Sequence, residues 1–225
     1  MMREMILLAH GSPDMSHAEA LQQLADQCSG RLGQRVHLQF LGDEIATGAL
    51  VLPLFLGEGG HVAEARAAIE QAGAFALPLI SEHAESLVHA WRNNFSHDVT
   101  DTTLVVWTLY QQRGFEAMMA AITSVQHLGD QKIAALHGER LLGDLLTEQW
   151  HLGVRSCWVQ PVLLADGRSL KQLHAIVAAF QSQHPEMVIK VGMPLLHQIG
   201  FADLIADIFN QRRNAAKESG VCHGG

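Results

Sequence analysis

Continuous apolar runs alternate along the chain with stretches in which apolar residues recur every three or four positions. "EMILLAH" (4–10) is unbroken up to "GSPD", the pattern of a strand buried on both faces. "MSHAEALQQLADQCSGRL" sets Ala18, Leu21, Leu24, Ala25, Cys28 and Leu32 at helical spacing, with Ser16 placed to cap it. "RVHLQFLG" and "ALVLPLFLG" read as further strands, "HVAEARAAIEQAG" as a helix stopping at Gly73, "FALPLI" as a fourth strand and "SEHAESLVHAWRNNF" as a helix. From about residue 102 the order restarts with strands in "TTLVVWTLY", "QKIAALHGE", "SCWVQPVLLADG" and "MVIKVGMPLL", each followed by a helical stretch. The spacing predicts an α/β chain of two similar doubly wound lobes with parallel four-stranded sheets.

The restart is a duplication. "PLFLGEGGHV" from Pro53 aligns with "PVLLADGRSL" from Pro161, "LPLISEHAESLVHAW" with "MPLLHQIGFADLIADIF", and "ILLAHGSPD" with "LVVWTLYQQ". The lobes expected from this are residues 1–98 and 99–217, with 218–225 as a flexible tail. Nine positions separate Glu44 from Pro53, whereas 22 separate the equivalent Glu139 from Pro161. "RLLGDLLTEQWHLG" therefore has no counterpart in the first half, and residues 42–49 are expected to form an irregular connection too short for an ordinary βαβ return.

Composition narrows the functions. Apolar residues make up 48% of 225 and charged residues 17%, and no apolar run approaches the ~20 residues of a membrane helix. The amino terminus lacks a small-residue cleavage site, so a cytoplasmic protein is expected. Cys28, Cys157 and Cys222 form no CxxC pair, against a disulfide framework or thiolate zinc site. A net charge of −8 disfavours nucleic acid and anionic membranes as partners. Histidine is over-used, at 14 residues.

Ligands of open α/β sheets collect beyond the carboxyl ends of the strands. His10 ends the first strand, and His61 follows the third at the start of a helix, where the positive end of the macrodipole favours a neutral, metal-ligating ring. The flanking Gly11, Gly59 and Gly60 are expected to let the backbone turn sharply and a bulky ligand approach. Imidazoles from two strand ends suit Co²⁺, Ni²⁺, Fe²⁺ or Zn²⁺ and leave coordination positions open. "GEGGHV" lacks a P-loop lysine and the third glycine of a dinucleotide fingerprint, and no GxSxG elbow supports a serine hydrolase.

"LLAHGSPD", "LPLFLGEGGHV" and "LPLISEHAESLVHAW" together resemble the class II chelatases of siroheme and cobalamin synthesis over most of residues 4–92, with the second half similar to the second lobe of double-length members. The resemblance implies His10 and His61 as catalytic and metal-binding residues. It implies insertion of Co²⁺, Ni²⁺ or Fe²⁺, itself a substrate, into sirohydrochlorin or a related tetrapyrrole, without an organic cofactor, by a monomer or homodimer. A non-catalytic metal or tetrapyrrole carrier on the same fold is the alternative. Gly11, Ser12, Glu58, Gly59 and Gly60 would line the substrate. Glu58 is also readable as a solvated turn carboxylate, Ser12 as a helix cap, and Arg168 and Lys171 as ordinary surface charges. The second half, with Thr108 and Ser169 aligned to the histidines, is expected to carry no metal site of its own. The absent helix is expected to alter or abolish activity.

Overall fold

The computed structural model describes residues 3–11, 15–95, 99–100, 102–125 and 130–221. The first repeat runs β1 (Met5–Ala9), α1 (Met15–Leu32), β2 (Val36–Phe40), β3 (Leu50–Pro53), α2 (Gly60–Gln71), β4 (Phe75–Ala76) and α3 (Ala84–Phe95). The second runs β5 (Leu104–Leu109), α4 (Glu116–Ser124), β6 (Gln131–Ala135), α5 (Leu142–His151), β7 (Ser156–Val162), α6 (Arg168–Gln183), β8 (Val188–Val191) and α7 (Phe201–Val221). Two four-stranded parallel sheets result, ordered β2-β1-β3-β4 and β6-β5-β7-β8. Both central strands, β1 and β5, are buried along their whole length, as uninterrupted apolar runs require.

Compactness does not follow the expected boundary between residues 98 and 99. One unit joins Met1–Ile80 to Gly200–Gly225, and the other is Ser81–Ile199. Each repeat thus gives its last helix to the other unit: α7 packs on α1, and α3 packs on α4. In the first unit the Arg31 guanidinium of α1 pairs with Asp203 of α7, and the Cys28 thiol donates to the Ala202 carbonyl at 3.8 Å. Burial pushes the Cys28 and Cys157 thiols up to about 12, so both are inert core residues. Helix α7 runs to Val221, into the stretch expected to be a tail. Cys222, His97 and His127 lie outside the described residues.

The absence of one helix is borne out. Residues 41–49 link β2 to β3 across β1 without any helix, whereas α5 fills the equivalent link of the second unit. Ile45 from this link takes a helix's place. It packs with Ile6, Leu8, Val51, Ala65 and Ile69, where the second unit uses Leu142, Leu145 and Leu146 of α5. Gly48 turns the link at φ 77°, a left-handed conformation that glycine adopts without Cβ strain, and its N–H reaches the Gly73 carbonyl at 3.1 Å.

The fourth strands are shorter than "FALPLI" and "MVIKVGMPLL" suggest. Pairing of β4 ends at Leu77, whose N–H reaches Val51 at 2.8 Å, and the chain then enters a 3-10 turn at Ile80–His83. Leu79 and Ile80 are apolar because the turn itself is buried, which imitates a buried strand in sequence. Leu195 occupies the same situation in the 3-10 turn Leu195–His197.

Because α7 completes the first unit, Phe209→Ala, at a fully buried site outside the first repeat, should destabilise that unit by about 3–5 kcal/mol in urea unfolding followed by circular dichroism. Residues 1–98 expressed alone should show no cooperative transition, since the apolar face of α1 is left bare.

Candidate metal site at the strand ends of the first unit

The β1–β3 register, Leu8 opposite Pro53, brings the ends of two neighbouring parallel strands level. A further bond from Leu54 N–H to the Leu8 carbonyl (2.8 Å) holds the exit of β3 against the end of β1. His10 comes immediately beyond β1. The loop 54–59 then carries the chain to Gly59, the N-cap of α2, so that His61 is the second residue of that helix. Side chains that are 51 positions apart in sequence meet here. The ring centroids of His10 and His61 are 4.2 Å apart and the planes are inclined by 50°.

Both rings are open to solvent; the His61 side chain is 60% exposed. Partial desolvation, followed by the neighbouring His61 and His17, holds His10 below its ordinary titration range, and Glu64 acts weakly in the opposite sense. The ring at the strand end therefore keeps its lone pair into mildly acidic solution. Two metal–nitrogen bonds of about 2.0–2.1 Å require ligand nitrogens roughly 3–3.5 Å apart, a separation that rings in this proximity can offer. Among the described residues no group of three or more His, Cys, Asp or Glu side chains has metal-holding geometry. An ion held by this pair would keep several positions for other donors.

Glu58 is committed elsewhere. Its carboxylate accepts two bonds from the Arg66 guanidinium, at 3.0 and 3.2 Å, in a fork held on the surface of α2. The carboxylate near the histidines is Glu64, 3.7 Å from His61 Nδ1 and one helical turn on. Sequence reading passed over Glu64, although an i,i+3 pair on a predicted helix was the available signal. His17, in the first turn of α1, reads from the sequence as a surface or packing residue, yet it is among the groups that act on His10. Gly11, Gly59 and Gly60, expected to let the backbone turn sharply and a bulky ligand approach, are not in the left-handed region, and Gly59, at φ 166°, is extended. What they provide is room, because a Cβ on any of the three would meet nothing within 4 Å. Ser12 lies outside the described residues.

The second unit corrects the alignment of the repeats. Thr108 stands opposite Pro161 as Leu8 stands opposite Pro53, so the counterpart of His10 is Tyr110 and not Thr108. Thr108 is fully buried in β5. Gly167 caps α6 as Gly59 caps α2, which keeps Ser169 as the counterpart of His61. Asp166 corresponds to Glu58, but its Oδ2 lies 2.8 Å from His197 Nε2. Tyr110 instead packs on His137, with ring centroids 4.8 Å apart.

Residues 110–216 match the family model described as CbiX. No curated protein matches the chain in sequence. Among solved structures, SirB from Bacillus subtilis with Fe³⁺ superposes with a TM-score of 0.72 at 16% identity, over 97% of this chain and 98% of that one. The sirohydrochlorin chelatase SirB from Bacillus subtilis subspecies spizizenii, in complex with cobalt, gives 0.64 at 18% identity over 94% of each chain. CbiX, the terminal enzyme for siroheme biosynthesis in denitrifying bacteria, gives 0.68 at 15% identity, over 93% of this chain and 99% of that one. At these identities the superpositions establish a shared fold. The CbiX match falls on the half that retains its helix between the second and third strands, and not on the half that holds the histidine pair.

In an NMR titration of the metal-free protein His10 should titrate below the ordinary histidine value of about 6.5. His61→Gln should move it part of the way back, and not fully, because desolvation is the larger cause. The unfolded chain binds this proton first as pH falls, so acidification from about 6.5 down to the lowered value should weaken the fold, and stability should recover as pH rises through that window.

Proposed function

We propose that the chain is a class II chelatase, a reading supported by the CbiX match of residues 110–216 and by the fold shared with SirB and CbiX, and that it inserts a divalent metal into sirohydrochlorin or a related tetrapyrrole. The observation that carries the proposal is the contact between the His10 and His61 rings at the adjoining ends of β1 and β3. Cobalt, nickel and iron(II) are the candidate metals, all of which accept imidazole nitrogen.

The overall change is M²⁺ plus a tetrapyrrole bearing two pyrrolic N–H groups, giving the metallated macrocycle and two protons. His10 and His61 hold the ion through neutral nitrogens, while its remaining positions admit the macrocycle nitrogens. As the metal passes to the macrocycle, each imidazole regains a lone pair and becomes a base competent near neutral pH. The Glu64 carboxylate stands 3.7 Å from His61 Nδ1 on the next turn of α2. Glu58, locked by Arg66, serves to fix the loop ahead of α2 and not to relay protons. Gly11, Gly59 and Gly60 leave the approach to the rings clear. The reaction would take place in the cytoplasm; no described helix is long and apolar enough to cross a membrane.

One observation favours a second reading, a carrier that binds metal or tetrapyrrole without turnover: the missing helix lies between the two strands that flank or carry the site. Absorbance of sirohydrochlorin with Co²⁺, Ni²⁺ or Fe²⁺ separates the two. The wild-type chain should accelerate metallation over the uncatalysed reaction, and His10→Ala and His61→Ala should each lower the rate by about tenfold to a thousandfold, the range of a lost ligand that also acts as a base. Binding without acceleration would identify the carrier, and equal rates in all three proteins would remove the site.

A further inference from the structure

Two carboxylates flank His61 in sequence, Glu58 ahead of α2 and Glu64 within it, and Arg66 divides their work. Arg66 stands two positions past Glu64 and so on a different face of the helix. It takes Glu58 instead, in a fork of 3.0 and 3.2 Å. Glu64 is left to the histidines. Its carboxylate lies 3.7 Å from His61 Nδ1, three positions on and on the same face, and among the described residues it enters no other ion pair. The early turns of a helix favour a negative charge, which holds the carboxylate there. The same group also acts on His10, so both rings of the pair feel it.

A neutral imidazole offers a metal one lone pair, and the position of its proton decides which nitrogen carries it. In water the proton rests mostly on Nε2, which would leave the lone pair on Nδ1, close to the helix backbone. A carboxylate beside Nδ1 reverses that preference, because it attracts an N–H and repels a lone pair. The lone pair then moves to Nε2, the nitrogen remote from the backbone. At 3.7 Å the contact is an ion-pair distance and not a hydrogen bond; closing it to ~3.2 Å takes about half an ångström. Both side chains stand well into solvent and are free to make that adjustment.

We infer that Glu64 is a positioning residue, which keeps the proton of His61 on Nδ1 and so presents Nε2 to the metal. The inference rests on the histidine-pair reading of the site and deepens it. A carboxylate behind a ligating imidazole fixes the ring's tautomer and orientation and raises its basicity as a ligand. It also lends a negative charge to a dication that two neutral rings would otherwise hold uncompensated. The fork between Glu58 and Arg66 serves the same end, because it keeps the helix's nearest cation occupied.

The test uses the full chain, first without metal. Proton–nitrogen correlation spectra at about pH 8.5, where an ordinary histidine is neutral, distinguish Nδ1–H from Nε2–H, and loss of signals in H61Q assigns the ring. His61 should be mainly Nδ1–H in wild type and mainly Nε2–H in E64A. E64Q, which keeps an acceptor oxygen without the charge, should fall between them. In a titration with Co²⁺ alone, E64A should bind about tenfold more weakly than wild type and E64Q less weakly than E64A. E70A, at an exposed position of the same helix, should change neither readout. A wild-type His61 that is mainly Nε2–H overturns the inference. So does an E64A chain of unchanged circular dichroism that keeps the wild-type tautomer or binds Co²⁺ within twofold of wild type, and either result leaves the chelatase reading standing. The expected tautomer change and weaker Co²⁺ binding, in a chain whose wild type does not accelerate metallation of sirohydrochlorin, uphold the role of Glu64 and overturn the chelatase reading.

Discussion

Everything proposed for this chain depends on one pairing, that of β1 with β3 in parallel with Leu8 opposite Pro53. A parallel neighbour is what lets two residues far apart in sequence stand at the same end of a sheet, because both strands must run out toward the same edge. Leu50, Val51 and Leu52 bury both faces of β3, and the bonds from Leu50 N–H to the Glu4 carbonyl and from Leu54 N–H to the Leu8 carbonyl hold its register and, through it, the meeting of the two imidazoles. The site is positioned by hydrocarbon packing that itself takes no part in the chemistry.

The alternation of apolar runs and amphipathic stretches made the two sheets and their parallel order legible, and the glycine-flanked positions of His10 and His61 made the candidate site legible too. Packing partners were less visible. The exchange of α3 and α7 between units leaves no local trace, because an amphipathic helix states that one face is buried and not which sheet buries it. The apolar runs at Leu79–Ile80 and at Leu195 could not be told from strand, since a buried turn and a buried strand ask for the same residues. Counterparts across the repeat were misjudged by two positions at His10, where only the strand register separates Tyr110 from Thr108. Glu64 and Arg66 were readable in principle from their spacing to His61 and Glu58, but a helix rich in charge offers several such pairs.

The duplicated units have diverged in complementary ways. The first gave up a helix and closes its sheet with Ile45, keeping histidine and carboxylate at the strand ends. The second carries the helix and has Tyr110 and Ser169 at the places of His10 and His61. Equivalent places of one fold thus carry different side chains, the ordinary consequence of varying loops while the sheet holds the scaffold.

The return of the chain to the first unit has a bearing on how the protein is made. Ser81–Ile199 is a continuous segment and can close as soon as it leaves the ribosome, whereas the unit with the histidine pair, though begun first, is completed only when α7 is made. At cellular elongation rates that delay is on the order of ten seconds. For that interval the face of α1 on which α7 packs stands uncovered, so the nascent amino-terminal segment is the part of this chain with most need of a chaperone.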